Sequence, residues 1–260
     1  RWHKVTEESV LLLSVVKWVI LATVIGCVVG SVTAFFLKLL SISLDVSTGF
    51  SHYYLILPLA LFVSTLLIYY LSPDSEGHGT EKVISAVHHR TGDIRLRVVP
   101  IKLLATLITL VSGGSAGKEG PCAQIGAALS SCIAKLFRFS KEDRKKLVIC
   151  GISAGFSAVF GTPVAGAIFG VEVLFVGSLM YGVLLPSFVA GMVSYQVASV
   201  LGIPYDYVAI NWIPTFSPKL FMLIIVIGCL FGLISILFIE TVNVGQKIAN
   251  LLREISERFL

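Results

Sequence analysis

The chain has 260 residues, 56% of them hydrophobic and only 13% charged, with a formal net charge of +5 and a mean hydropathy of +0.91. A soluble domain is nearer ~45–50% apolar and ~25% charged, so this composition describes a polytopic membrane protein. It excludes a nucleic-acid binder, because no basic stripe carries interleaved aromatics; the basic groups read as membrane-flanking anchors.

Arg1 to Ser9 is polar and predicts a short interfacial helix. Val10 to Leu44 is one apolar run, far longer than the ~7–15 residues of a signal-peptide core, and crosses the membrane with strong tilt. Gly26 and Gly30 within it are spaced for close helix packing. Tyr53 to Leu71 is a second span, broken by the turn-rich Ser72 to Gly79. Thr80 to His89 predicts an amphipathic helix too short to cross. Val98 to Val111 is a half-length apolar segment that runs into a glycine-rich break, and Glu119 to Phe137 resumes as helix. Arg138 to Lys146 reads as a charged loop. Leu147 to Phe175 is apolar but interrupted at Gly161-Thr162-Pro163. Val176 to Leu201 is another span, and Ile203 to Pro218 a loop rich in Pro and aromatics. Leu220 to Ile239 is the last span and continues into an amphipathic tail, Asn243 to Leu260.

Spans that are short, or broken by Gly and Pro, point to a substrate site near the bilayer midplane built from discontinuous helices. The sharpest break is Gly113-Gly114-Ser115-Ala116-Gly117-Lys118-Glu119-Gly120-Pro121. Charged side chains at membrane depth are costly, and functional by default. Glycines let the backbone leave the helix and turn N–H groups toward a cavity. Gly120-Pro121 suits the first turn of a new helix, where proline forfeits no hydrogen bond. A helix N-terminus placed there is an anion site, with Glu119 at its mouth. The cysteines Cys27, Cys122, Cys132, Cys150 and Cys229 all fall in apolar segments without a C-x-x-C pair, and read as small buried hydrophobes.

Gly117-Lys118-Glu119-Gly120-Pro121 resembles the G-(Lys/Arg)-E-G-P signature of the CLC chloride channels and proton-coupled chloride transporters. The likeness continues through Gln124-Ile125-Gly126 and through Gly151 to Gly166, a small-residue run ending in a P-x-A-G turn, and less tightly over nearly the whole chain. The resemblance implies an all-α, polytopic membrane fold with tilted, re-entrant and broken helices, and a cytoplasmic N-terminus. That fold consists of two related halves of opposite orientation around one pore. On this reading residues 1–201 are the first repeat, 202–217 a connecting loop, and 218–260 the first helix of the second repeat with its amphipathic tail. The family's later G-x-F-x-P motif and its anion-binding tyrosine have no match. The expectation is a piece of a longer chain; the alternative is a half-length protein that completes its pore by pairing.

The resemblance also assigns roles. Glu119 becomes the gating glutamate, occupying an anion site when ionised and leaving it when protonated; otherwise it caps its own helix. Lys118 either raises the positive potential at the outer mouth or snorkels to an interface. The backbone N–H groups of Lys118, Glu119 and Gly120 supply the anion ligands, and such donors suit chloride, which full charges hold too tightly for release. Gly77-His78-Gly79-Thr80-Glu81 stands where the family has G-S-G-I-P, so the anion-binding serine is His78 and the proline is Glu81. His78 lines the site with altered selectivity, or turns to water. In Phe169-Gly170-Val171-Glu172-Val173, many exchangers carry two acids, the second relaying protons; here that position is Val173, which leans toward a channel. Glu172 reads as a structural carboxylate near the subunit interface, with a proton role as the alternative.

The resemblance implies a homodimer through the 163–201 helices, each subunit with its own pore. It implies a multi-pass protein of the plasma or inner membrane, chloride or a similar small anion as ligand, and neither cofactor nor metal nor nucleic acid. Fluoride and nitrate stay open. Gly113 to Gly117 formally matches G-x-S-x-G, but every histidine precedes Ser115, against a hydrolase order. A P-loop fails because Glu119, not Ser or Thr, follows Gly117-Lys118. A cation-coupled transporter and a non-conducting scaffold are the remaining rivals; no enzyme activity is expected.

Overall fold

The computed structural model describes residues 2–173, 181–205, 215 and 217–259. Every regular element among them is helical: α1 (Trp2–Thr48), α2 (Leu57–Leu71), α3 (Thr80–His89), α4 (Val98–Val111), α5 (Glu119–Leu136), α6 (Lys141–Phe160), α7 (Pro163–Glu172), α8 (Tyr181–Val200) and α9 (Pro218–Phe259), with short 3-10 turns before and after α2. Among the described residues four helical stretches are long and apolar enough to cross a membrane: Leu12–Thr48, Tyr53–Leu71, Gly182–Val200 and Pro218–Leu251. Two compact units divide at 206/207. The second contains the long helix α9.

In the first unit α5 and α6 run through the middle, and α1, α7 and α8 pack around them. Lipid is as apolar as leucine, so backbone proximity drives this packing more than hydrophobicity. The sequence supplies it with small residues. A side chain at Gly26 would meet the Ala190 carbonyl oxygen at 2.7 Å, and one at Gly30 the Ser194 carbonyl oxygen at 2.7 Å, so the α1 pair seats α8. Gly126 and Gly151 face one another where α5 crosses α6. Two apolar clusters fill the spaces between, one around Ile25, Val83, Ala127 and Ile152, the other around Phe36, Leu107, Ile125 and Val159.

Several expected boundaries move. The polar residues before Val10 do not form a separate helix but open α1, because nothing between them and Val10 breaks a helix. The expected loop Arg138–Lys146 is mostly the start of α6: Ser140 caps it, accepting from the Asp143 amide at 3.1 Å, with Glu142 and Asp143 in the first turn. The break at 161–163 holds. Gly161 ends α6 at φ 69° and Pro163 opens α7. The tail from Asn243 is continuous with the last span as α9. Against the expectation that all five are buried, Cys27 and Cys229 are exposed, whereas Cys122 and Cys150 are buried and Cys132 half-buried; all five are free thiols. The first residues of the expected Val176–Leu201 span, and most of the loop after Tyr205, lie outside the described residues.

One polar end of this unit is an ion-pair network. Asp74 meets Arg90 at 3.2 Å and Arg95 at 3.8 Å, Asp93 pairs with Lys135, and Arg144 donates to the Thr91 carbonyl at 2.9 Å. The hydrogen bond from Lys135 holds the Asp93 carboxyl below the usual aspartate range, against partial burial and with help from the charges of Lys135, Arg144 and Arg90. A carboxyl lowered by folding stabilises the fold above its ordinary pKa, and that contribution is lost as pH falls through the lowered value, below pH ~4. Asp93→Asn is therefore expected to flatten the acid limb of thermal stability measured against pH in detergent. At neutral pH it costs no more than ~1 kcal/mol, because the pair is half exposed.

Candidate functional site

The site is built where two helices begin side by side. Gly77 and Gly79 take φ of 78° and 93°, which only glycine adopts without strain, and turn the chain into α3. Lys118 is the N-cap of α5, Glu119 its first residue, and Pro121 falls in its first turn. The two starts are in backbone contact. A side chain at Gly79 would lie 2.7 Å from the Gly120 carbonyl oxygen, and one at Gly120 would overlap the His78 carbonyl. Neither helix has a side-chain cap. Among the described residues no hydrogen bond satisfies the backbone N–H groups of Lys118, Glu119 and Gly120, nor those of Thr80, Glu81 and Lys82. Two sets of free donors thus lie close together, each at the positive end of a helix, and of these residues Gly120 is on the wall of the adjoining cavity.

A cavity of about 400 Å³ opens there, lined by Gly77, His78, Lys102, Thr106, Thr109, Ser115, Gly117 and Gly120 among others. Of the residues expected at an anion site, Gly77, His78, Gly117 and Gly120 line it directly. Gly79 lies buried behind, as the α3 cap. Glu119 is half-buried, with its carboxylate folded back against Gly117. Lys118 turns the other way and lines a second cavity with Lys38. Glu172 and Val173 close α7 away from this cavity: Glu172 is exposed, and Val173 packs against the core beside Phe169.

Lys102 was not expected here. It is 6% exposed, and its ammonium donates to the Ser75 carbonyl at 2.9 Å and the Gly77 carbonyl at 2.6 Å. Among the described residues it has no carboxylate partner, so an uncompensated cation sits in the cavity wall. By holding two carbonyls of the turn, it fixes the peptides that precede α3. The signal for it was present: a lone lysine in the apolar segment Val98 to Val111. Gln124 was quoted only as part of a motif. It is buried, its amide donates to the Asp74 carbonyl at 2.8 Å, and it ties α5 to the turn before α3. Ser64 and Thr109 add hydroxyls to the wall; Thr109 Oγ1 lies 2.8 Å from the Ala105 carbonyl and 3.4 Å from Ser64 Oγ. Both of these hydroxyls donate to the Ala105 carbonyl, so what the wall adds for a small anion is the Gly120 end of α5, the Thr106 and Ser115 hydroxyls and the positive charge of Lys102. No cluster of metal-ligating side chains occurs among the described residues.

Comparisons with known proteins agree with this chemistry. The chain is 36% identical, over 89% of its length, to a "Chloride/fluoride channel protein" of Pseudomonas syringae pv. tomato, of which it covers 51%. It is 27% identical over 71% of its length to an "H(+)/Cl(-) exchange transporter ClcA" of Vibrio vulnificus, of which it covers 40%. The chain thus spans about half the length of the curated relatives it matches. Among solved structures it superposes on a CLC-type fluoride/proton antiporter with a TM-score of 0.79 and 28% identity, covering 85% of this chain and 56% of that one. A slow cyanobacterial Cl-/H+ antiporter gives 0.72 at 21% identity, a likeness of fold alone. The voltage gated chloride channel family model matches residues 59–258, which include both helix starts and the cavity between them, and the chain therefore belongs to the CLC family of integral membrane anion-transport proteins.

Proposed function

We propose that the protein carrying this chain passes small anions, chloride or fluoride, through the cavity between the starts of α3 and α5, with Glu119 as the gate and His78 in the wall. The observation that carries the reading is the backbone contact between two uncapped helix starts beside a cavity whose lining includes Gly77, His78, Gly120 and the Lys102 side chain. Backbone donors bind a halide without trapping it, and the buried cation offsets the cost of bringing the anion out of water. Val173, at the position where many exchangers carry an acid, favours passive conduction. A proton-coupled antiporter is the second reading, favoured by the likeness to a fluoride/proton antiporter at 28% identity. In either case we propose a homodimer, for which α7 and α8 offer Val164, Ile168, Leu185 and Phe188 as exposed apolar side chains.

The test is anion efflux from liposomes containing the intact protein, with proton movement recorded at the same time. Chloride or fluoride efflux without protons is the expected result. Efflux that drives protons the opposite way replaces the channel with the exchanger. No flux of either anion overturns the proposal and returns the chain to a scaffold role.

A further inference from the structure

The first turn of α5 separates two cavities. Gly117 and Gly120 face the one between the helix starts, while Lys118 faces another of about 540 Å³. This second cavity is walled by α1, the end of α6 and the 202–204 turn after α8. Its charged lining residues are Lys38 and Lys118, and the rest of the lining is Leu37, Ile42, Val159, Ile203 and similar apolar or small groups. No carboxylate lines it, and among the described residues neither lysine makes an ion pair.

The cavity is held by its own hydrogen bonds. Tyr205 donates to the Ala158 carbonyl at 2.7 Å, and the Gly161 amide to the Ser157 carbonyl at 2.9 Å, so the negative end of α6 beside it is capped. Gly202 and Ile203 bond back to α8, and the Lys38 ammonium points across to this turn, 4.0 Å from where a side chain at Gly202 would begin. Lys38 also marks a depth. About 32 Å of helix separates it from Lys17, at ~1.5 Å per residue. Lys17 pairs with Asp143 at the start of α6 and stacks near Trp18, an interfacial signature. That length is comparable to a hydrocarbon core of ~30 Å, so Lys38 lies far along α1 from that interface.

We propose that this cavity is a second, weak anion-capture site outside the gate, in which Lys38 acts with Lys118 to load halide ions onto the first turn of α5. The inference rests on the function proposed above and adds Lys38, on α1, to the site. Two like charges between low-dielectric walls focus the field and raise the local anion concentration, an effect worth about tenfold to a thousandfold in capture rate for strongly charged clefts. Both lysines are exposed, so the effect is screened by salt; the screening length falls from ~10 Å at 0.1 M to ~3 Å at 1 M.

The experiment compares wild type, Lys38→Gln, Lys38→Arg and Lys17→Gln in liposomes of neutral lipid, with chloride and fluoride as probes. Ionic strength is set independently with an impermeant salt. The expected result is that Lys38→Gln raises the half-saturating anion concentration about three- to tenfold at low ionic strength. Maximal flux is unchanged, and the difference disappears at high ionic strength. Lys38→Arg and Lys17→Gln should match wild type. A Lys38→Gln defect that persists at every ionic strength, or none at all, overturns the capture site while the conduction reading stands. A Lys38→Gln defect that appears only when anionic phospholipid is added would make the cavity a lipid headgroup site and likewise overturn the proposal. A wild type without flux overturns the conduction reading, and the capture site with it.

Discussion

Glu119→Gln is expected to leave anion flux independent of pH, with flux at neutral pH raised about tenfold to a hundredfold over the wild type. Glutamine keeps the shape and cannot ionise. In the structure the Glu119 carboxylate folds back toward Gly117, beside N–H groups that no other described residue satisfies. As an ionised group it competes for those donors with any anion that enters. Hydrogen bonds to a charged acceptor are worth about 1.5–3 kcal/mol, and ~1.4 kcal/mol is a factor of ten, which sets the expected gain. The check is efflux across the acidic and neutral range in both proteins. A Glu119→Gln protein that keeps the wild-type pH profile would remove Glu119 from the gate and leave it as a residue of the helix start.

Gly120→Ala is expected to be more damaging than Gly77→Ala, though both lie in the same wall. At Gly77 nothing stands within 4 Å of an added methyl, and the cost is the positive φ of 78°, about 1–2 kcal/mol. At Gly120 the φ is ordinary, but the methyl would overlap the His78 carbonyl, a backbone atom that cannot rotate away. The neighbouring carbonyl of Gly77 is pinned by Lys102, so the turn has little freedom to yield. Overpacking costs about 1–3 kcal/mol when side chains can adjust, and more when the obstacle is backbone. Separating the two helix starts should also abolish transport. Thermal unfolding in detergent together with liposome efflux reads both effects. Gly77→Ala proving the more destabilising of the two would show that the helix starts are not packed against each other as described.

The sequence carried the boundaries of α3 and α4 in full, because each is bounded by a polar, glycine-containing break: Gly77 and Gly79 before α3, Gly92 between the two, and Gly113 and Gly114 after α4. It carried the pairing of Gly26 and Gly30 with some partner, but not that the partner is α8. It missed the start of α6. The run Ser140-Lys141-Glu142-Asp143 is a capped N-terminus, yet its charge density reads as a loop when no partner is visible; Lys17 on α1 then supplies one at 3.5 Å. The site shows the same division. Gly117 and Gly120 could be named from their break, and His78 from the resemblance of its turn to the family's G-S-G-I-P motif. Lys102 could be flagged but not placed, because its role depends on carbonyls 27 and 25 positions earlier in the chain. Lys38 carries no motif at all and gains meaning only where α1 passes the start of α5.

The ammonium of Lys102 has one more consequence, for what the cavity refuses. Potassium and sodium are recognised in proteins by rings of backbone carbonyls that replace lost water. In this wall the Ser75 and Gly77 carbonyls already serve a cation that is covalently tethered to α4 and cannot diffuse away. A free alkali ion entering here would find those two oxygens taken and a positive neighbour beside them. On the conduction reading proposed above, sign is discriminated before size or hydration is considered, by a tethered ammonium that holds the oxygens a cation would need.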